Sequence, residues 1–113
     1  MAVVLYHNPK CSTSRNALAL LQERGIEPTV VEYLKTGWDR ATLERLASRT
    51  GAGLHGLMRV KEAEAKALLD TGADDAALMA AALAQPILIE RPIVETDKGA
   101  VVGRPMERVL DVI

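Results

Sequence analysis

The opening of the chain leaves few choices of fold. Ala2-Val3-Val4-Leu5-Tyr6 is a short apolar run without a helical period, and it stops at His7-Asn8-Pro9, so it reads as a buried strand feeding a loop. A helix is predicted from about Ser12 to about Arg24. Ser14, Ala17, Leu18 and Leu21 share one face there, and Gly25 stands where a left-handed residue ends a helix. Thr29-Val30-Val31-Glu32-Tyr33 follows Pro28 and is rich in β-branched residues, which predicts a second strand. Strand, helix and strand with a connection of this length imply a right-handed parallel crossover.

The rest of the pattern completes a sheet around that unit. Asp39 is placed to cap a helix with Leu43, Leu46, Ala47 and Thr50 on one face, ended by Gly51 and Gly53. Leu54 to Arg59 reads as a short helical turn, and Glu62 to Leu69 and Asp75 to Gln85 as two further helices closed by Pro86. Ile93-Val94-Glu95-Thr96 and Ala100-Val101-Val102-Gly103 flank the turn Asp97-Lys98-Gly99 as an antiparallel hairpin. Pro105 starts a last helix whose apolar stripe is Met106, Val109, Leu110 and Ile113. The expected fold is one α/β domain over residues 1–113: a four-stranded mixed sheet with flanking helices and a mid-chain helical insertion at about 39–85. A thioredoxin-like architecture fits this order. Ferredoxin-like and flavodoxin-like arrangements begin in the same way, and the position of the cysteine favours the thioredoxin-like one.

Composition excludes several partners. With 14 Lys+Arg against 15 Asp+Glu the formal net charge is −1, so no broad basic surface draws the chain to nucleic acid or to an anionic membrane. Any anion must be met locally. The longest apolar run, Ala76 to Ala84, is about half the length that crosses a bilayer. A single cysteine forms no internal disulfide and no internal dithiol cycle, which suits a reducing, cytoplasmic setting. Cys11, His7 and His55 are too few for a structural zinc site, and neither a metal nor a bound cofactor is expected.

Cys11 carries the chemistry. It lies in His7-Asn8-Pro9-Lys10-Cys11-Ser12-Thr13-Ser14-Arg15, between the first strand and the first helix, where unpaired backbone N–H groups and the helix dipole favour an anion. A free thiol of pKa about 8.5 is only about 3% ionised at pH 7, so activation needs such help. Lys10 adds positive charge, His7 does so when protonated, and the Ser14 hydroxyl is expected to donate to sulfur. An inert, buried thiol would sit among apolar neighbours, which this loop lacks. Cys11-Ser12-Thr13-Ser14 has the C-x-x-S form, so any disulfide on Cys11 involves a thiol from another molecule. The C-x5-R loop of tyrosine phosphatases is absent, because Ala17 occupies its arginine position, and there is no Walker motif.

Three arginines stand at the ends of predicted elements: Arg59, Arg91 before Pro92, and Arg104 before Pro105. In a thioredoxin-like sheet the proline that starts the third strand is typically cis and sits against the cysteine loop. Pro92 is therefore the cis-proline candidate, and it brings Arg91 to Cys11. Guanidinium forks match tetrahedral oxyanions and offset their repulsion from an attacking thiolate.

HNPKCSTSR, Leu57-Met58-Arg59, Glu90-Arg91-Pro92-Ile93-Val94 and Gly103-Arg104-Pro105 together resemble the glutaredoxin-linked arsenate reductases, the ArsC family, over nearly the whole chain. The Leu57-Met58-Arg59 and Glu90-Arg91-Pro92-Ile93-Val94 contexts are as similar to the housekeeping relatives of that family as to its operon-encoded detoxification enzymes. The resemblance implies a thioredoxin fold with a helical insertion, Cys11 as nucleophile towards arsenate, and Arg59, Arg91 and Arg104 as ligands of the oxyanion. It implies glutathione as the external thiol and glutaredoxin as the partner that resolves the mixed disulfide. His7 matches the family histidine near the nucleophile. The alternative is a non-enzymatic, redox-responsive binding or transcription-regulatory protein of the same fold.

Overall fold

Four short strands form one sheet in the computed structural model, which describes residues 1–113. β1 is Val4–His7, β2 Thr29–Glu32, β3 Ile93–Thr96 and β4 Gly99–Val102, in the order β2-β1-β3-β4. β1 runs parallel to β2, with Leu5 opposite Val30 and His7 opposite Glu32. It runs antiparallel to β3, with Leu5 opposite Val94, and β3 and β4 form the expected hairpin. The mixed sheet thus has the strand content and directions that the pattern predicts.

Helix α1, Ser12–Glu23, makes the crossover between the parallel strands. It ends where Gly25 takes a φ of +75°, which an L side chain rarely adopts. Its buried face, Ala17 and Leu21, packs with Val3, Leu5, Val94, Val101, Val109 and Val112 into one apolar cluster. Full burial of a side chain such as Leu21 stabilises by about 1.5–3 kcal/mol. These residues belong to one compact unit, Met1–Thr36 with Arg91–Ile113.

Two features of this unit depart from expectation. Tyr33 does not extend β2 but begins a four-residue helix, α2, Tyr33–Thr36, with its side chain fully buried. Four residues are too few for a helical period to show against a β-branched run. The last helix is 3₁₀ rather than α, over Met106–Val112. Three residues per turn align Met106, Val109 and Val112, so Val112 is buried in place of the expected Ile113. The Thr96 hydroxyl donates to the Val112 carbonyl at 2.5 Å and ties that turn to β3.

The second compact unit, Gly37–Glu90, is helical: α3 Arg40–Arg49, α4 Gly53–Leu57, α5 Ala63–Asp70 and α6 Asp75–Ala84, then a 3₁₀ turn at Pro86–Leu88. Leu43, Leu46, Leu57, Leu78 and Ile89 are fully buried in it. Asp39 caps α3 as predicted, accepting from the Thr42 N–H at 2.6 Å, and Asp74 caps α6 from Ala77 at 2.9 Å. No helix of the protein is long and apolar enough to cross a membrane.

Candidate active site

The thiol sits where β1 hands over to α1. Asn8 shapes this turn twice: its carbonyl accepts from the Cys11 N–H at 3.0 Å, and its side-chain oxygen accepts from the Lys10 N–H at 3.0 Å. Asn-Pro is a turn signal, so this scaffold role was visible in the sequence although no function was assigned to Asn8. Cys11 itself is the N-cap residue of α1, extended at φ −96° and ψ 122°, with no side-chain cap bond closed. Its thiol is free and half-buried.

Burial pushes the Cys11 thiol up, but the backbone N–H of Ser14 and the guanidinium groups of Arg91 and Arg104 outweigh it and hold the thiol below its ordinary value. Arg104 Nη1 lies 3.9 Å from the sulfur and donates to the Arg91 carbonyl at 3.1 Å. Gly103 brings Arg104 there. Its N–H donates to the Pro92 carbonyl at 2.8 Å, and a Cβ at this position would stand 2.8 Å from Val109 Cγ1 and 3.0 Å from Pro92 Cγ. Both Arg91-Pro92 and Arg104-Pro105 are cis, the first as expected and the second without a prior signal.

Arg91 is the unusual group. It is only 9% exposed, and its Nε and Nη1 have no hydrogen-bond partner. An unmet buried donor costs about 1–3 kcal/mol, more when charged, so a site that keeps two of them is built for an acceptor that arrives.

His7 and Ser14 act on one another. His7 Nδ1 is 2.6 Å from Ser14 Oγ, which also accepts from the Asn8 N–H at 3.1 Å. The Ser14 hydroxyl is therefore engaged by these neighbours rather than donating to sulfur as the sequence suggested, and the Ser14 backbone N–H helps to lower the thiol without closing a cap bond. Burial pushes the His7 imidazole below its ordinary value, against an upward pull from Glu32 and with a downward push from Arg15. His7 is then neutral near pH 7 and adds no positive charge to the thiol.

Arg59 lies in the helical unit. Its Nη1 pairs with Glu90 Oε1 at 2.8 Å, its N–H donates to the Leu88 carbonyl at 2.7 Å, and its Nε is buried without a partner. Glu90 precedes Arg91 in the sequence, and its pairing with a residue 31 positions away had no local signal.

Known proteins resemble this chain along its length. The ArsC family model matches residues 6–112. The chain is 44% identical to an arsenate reductase of Rhizobium meliloti, covering 100% of this chain and 82% of that protein. It is 46% identical to the uncharacterized protein YfgD of Escherichia coli K12, over 98% of this chain and 96% of that one. A solved structure described as an arsenate reductase from Vibrio cholerae superposes with a TM-score of 0.92 at 46% identity, covering 100% of this chain and 98% of that one. A thioredoxin-like sheet with its cysteine at the β1–α1 junction, matched in sequence from end to end, makes this chain a member of the ArsC family.

Proposed function

We propose that the protein is an arsenate reductase that uses Cys11 as nucleophile and takes its electrons from glutathione and glutaredoxin. The observation that carries this reading is the pair of unpartnered, buried nitrogens on Arg91 beside a thiol held below its ordinary value. The names of the relatives support arsenate as the oxyanion. The lone cysteine supports an external thiol, since no second sulfur in the chain can close a disulfide.

The reaction runs in three steps. The Cys11 thiolate attacks arsenic, and one arsenate oxygen leaves as water after taking up protons. Arg91 and Arg104 hold the remaining oxygens and offset their repulsion from the incoming sulfur. The glutathione thiolate then attacks Cys11 sulfur, the sulfur–arsenic bonding pair stays with arsenic, and arsenite leaves two electrons richer. A glutaredoxin thiolate takes the glutathionyl group from the mixed disulfide and returns Cys11 as thiolate. Thiols supply both electrons, so the cycle needs no bound cofactor and suits the cytoplasm, where glutathione is reduced.

Arg59 is proposed as a further ligand of the oxyanion on the family resemblance alone. His7 and Ser14 are positioning residues: their mutual hydrogen bond aims the Ser14 N–H, and Pro92 sets the turn that presents Arg91. Arsenite release from arsenate, measured with glutathione and glutaredoxin beside the Cys11→Ser variant, tests the proposal. Turnover by the wild type alone is the expected result. Equal release from both proteins, or none from the wild type with both thiols supplied, overturns it.

A further inference from the structure

Next to the Cys11 loop an open groove of about 160 Å³ runs between Asn8, Pro9 and Lys10 on one side and Glu32, Leu34 and Lys35 on the other. Pro9 and Leu34 form its carbon wall, and Leu34 is 38% exposed, one of few large apolar side chains left facing water. The rim carries two cations and one anion. Lys35 Nζ stands 3.3 Å from Glu32 Oε1, with side chains 76% and 36% exposed, a loose surface pair that exchanges partners at little cost. Lys10 is exposed and directly precedes Cys11. Arg104 lines a different depression, with Thr13 and Asn16, and the two share no residue.

We infer that this groove is the docking site for glutathione. The inference rests on the reading that an external peptide thiol attacks Cys11, and it locates that thiol. Glutathione carries two carboxylates and one ammonium on an extended backbone with the sulfur between them. Lys10 and Lys35 match the carboxylates, Glu32 matches the ammonium, and Pro9 and Leu34 cover the aliphatic part. A small apolar-walled groove with convergent charges orients such a ligand without enclosing it.

Thiol–disulfide exchange reads this groove without arsenate. The Cys11 thiolate attacks oxidised glutathione, forming the protein–glutathione disulfide and releasing one glutathione thiolate, and mass spectrometry follows the adduct. The neutral bis(2-hydroxyethyl) disulfide is the comparison reagent. Wild-type protein is expected to prefer oxidised glutathione, and Lys35→Glu to lower that preference about threefold to tenfold, less at high salt, while Lys35→Arg keeps it. The reaction with the neutral disulfide stays as in the wild type. No preference in the wild type, an unchanged preference in Lys35→Glu, or an equal loss with both reagents overturns the inference. Arsenite release by the same preparation separates the two claims: a wild type that prefers oxidised glutathione yet releases no arsenite retains the groove and loses the reductase reading.

Discussion

Two helices of the helical unit, α3 and α6, begin differently from α1 of the sheet unit. Asp39 and Asp74 begin α3 and α6 with side-chain oxygens on backbone N–H groups three residues on, whereas α1 begins with Cys11 and closes no side-chain cap. The arginines differ in the same sense. Arg59 is matched to Glu90, but Arg91 is buried with two nitrogens unmet. The helical unit leaves one Arg59 nitrogen unmet beside an ion pair, whereas the sheet unit leaves two Arg91 nitrogens open near a sulfur. Unmet donors lower stability, so their concentration beside Cys11 marks the place where an anion completes the structure.

Cys11→Ser is the sharpest way to break this contrast, and it has the largest expected effect. Arsenite release should fall to that of the reaction without enzyme, because a serine hydroxyl is not ionised at neutral pH. Stability should move the other way. Serine is a preferred N-cap and its oxygen is placed to accept from the Ser14 N–H, so the urea midpoint should rise, by about 0.5–1 kcal/mol of stability. A variant that is both inactive and less stable would show that α1 was not left uncapped for the sake of the thiolate.

Arg91→Lys comes next. It keeps the charge and removes the fork, and kcat/KM for arsenate should drop about a hundredfold. Replacement by methionine extends the comparison to stability. Arg91→Met removes two unmet buried donors but also a cation that favours the Cys11 thiolate, so any rise in the unfolding midpoint should be largest at acidic pH, where the thiol is protonated, and should shrink as pH rises. Arg59→Met removes the ion pair with Glu90, whose side chain is only 20% exposed, and should destabilise by about 1 kcal/mol or more.

The pH dependence follows from the lowered thiol. Alkylation of Cys11 by iodoacetamide should reach half its plateau rate below the ordinary thiol range, and Arg91→Lys or Arg104→Lys should move that midpoint up. Because the folded thiol ionises more readily than the unfolded one, its contribution to stability is complete above the unfolded value and is lost as pH falls through the folded value. His7 acts in the same direction. Its imidazole is held below the ordinary value, so acidification protonates the unfolded chain first and favours it. A midpoint that ignores both arginines would detach them from the sulfur.

What could be read in advance was local or came through the fold. Cys11, the β1–α1 turn and the Asp39 cap follow from neighbouring residues, and the thioredoxin-like order pointed to a cis Pro92 with Arg91 beside the thiol. What escaped depends on distant partners or on very short elements. The Ser14 hydroxyl turned to His7, Glu90 was paired with Arg59, Tyr33 began a four-residue helix, and the C-terminal turn tightened to 3₁₀ to bury Val112. None of these choices leaves a period in the sequence.

The smallest effect is expected far from the sulfur in function, and it completes the contrast. Asp74→Ala removes the oxygen that accepts the Ala77 N–H at the start of α6, which should lower stability by about 1 kcal/mol in urea unfolding, with Asp74→Ser restoring most of it. The α6 N-terminus has no thiol and no unpartnered arginine to serve, so alkylation of Cys11 should keep its rate and its pH midpoint. If the uncapped start of α1 reflects a demand for an anion, capping and reactivity are separable in this chain: losing a cap in the helical unit costs stability alone, and gaining one at Cys11 costs activity alone. A change in Cys11 reactivity on Asp74→Ala would mean that the helical unit helps to tune the thiol, and the division drawn between the two regions would fail.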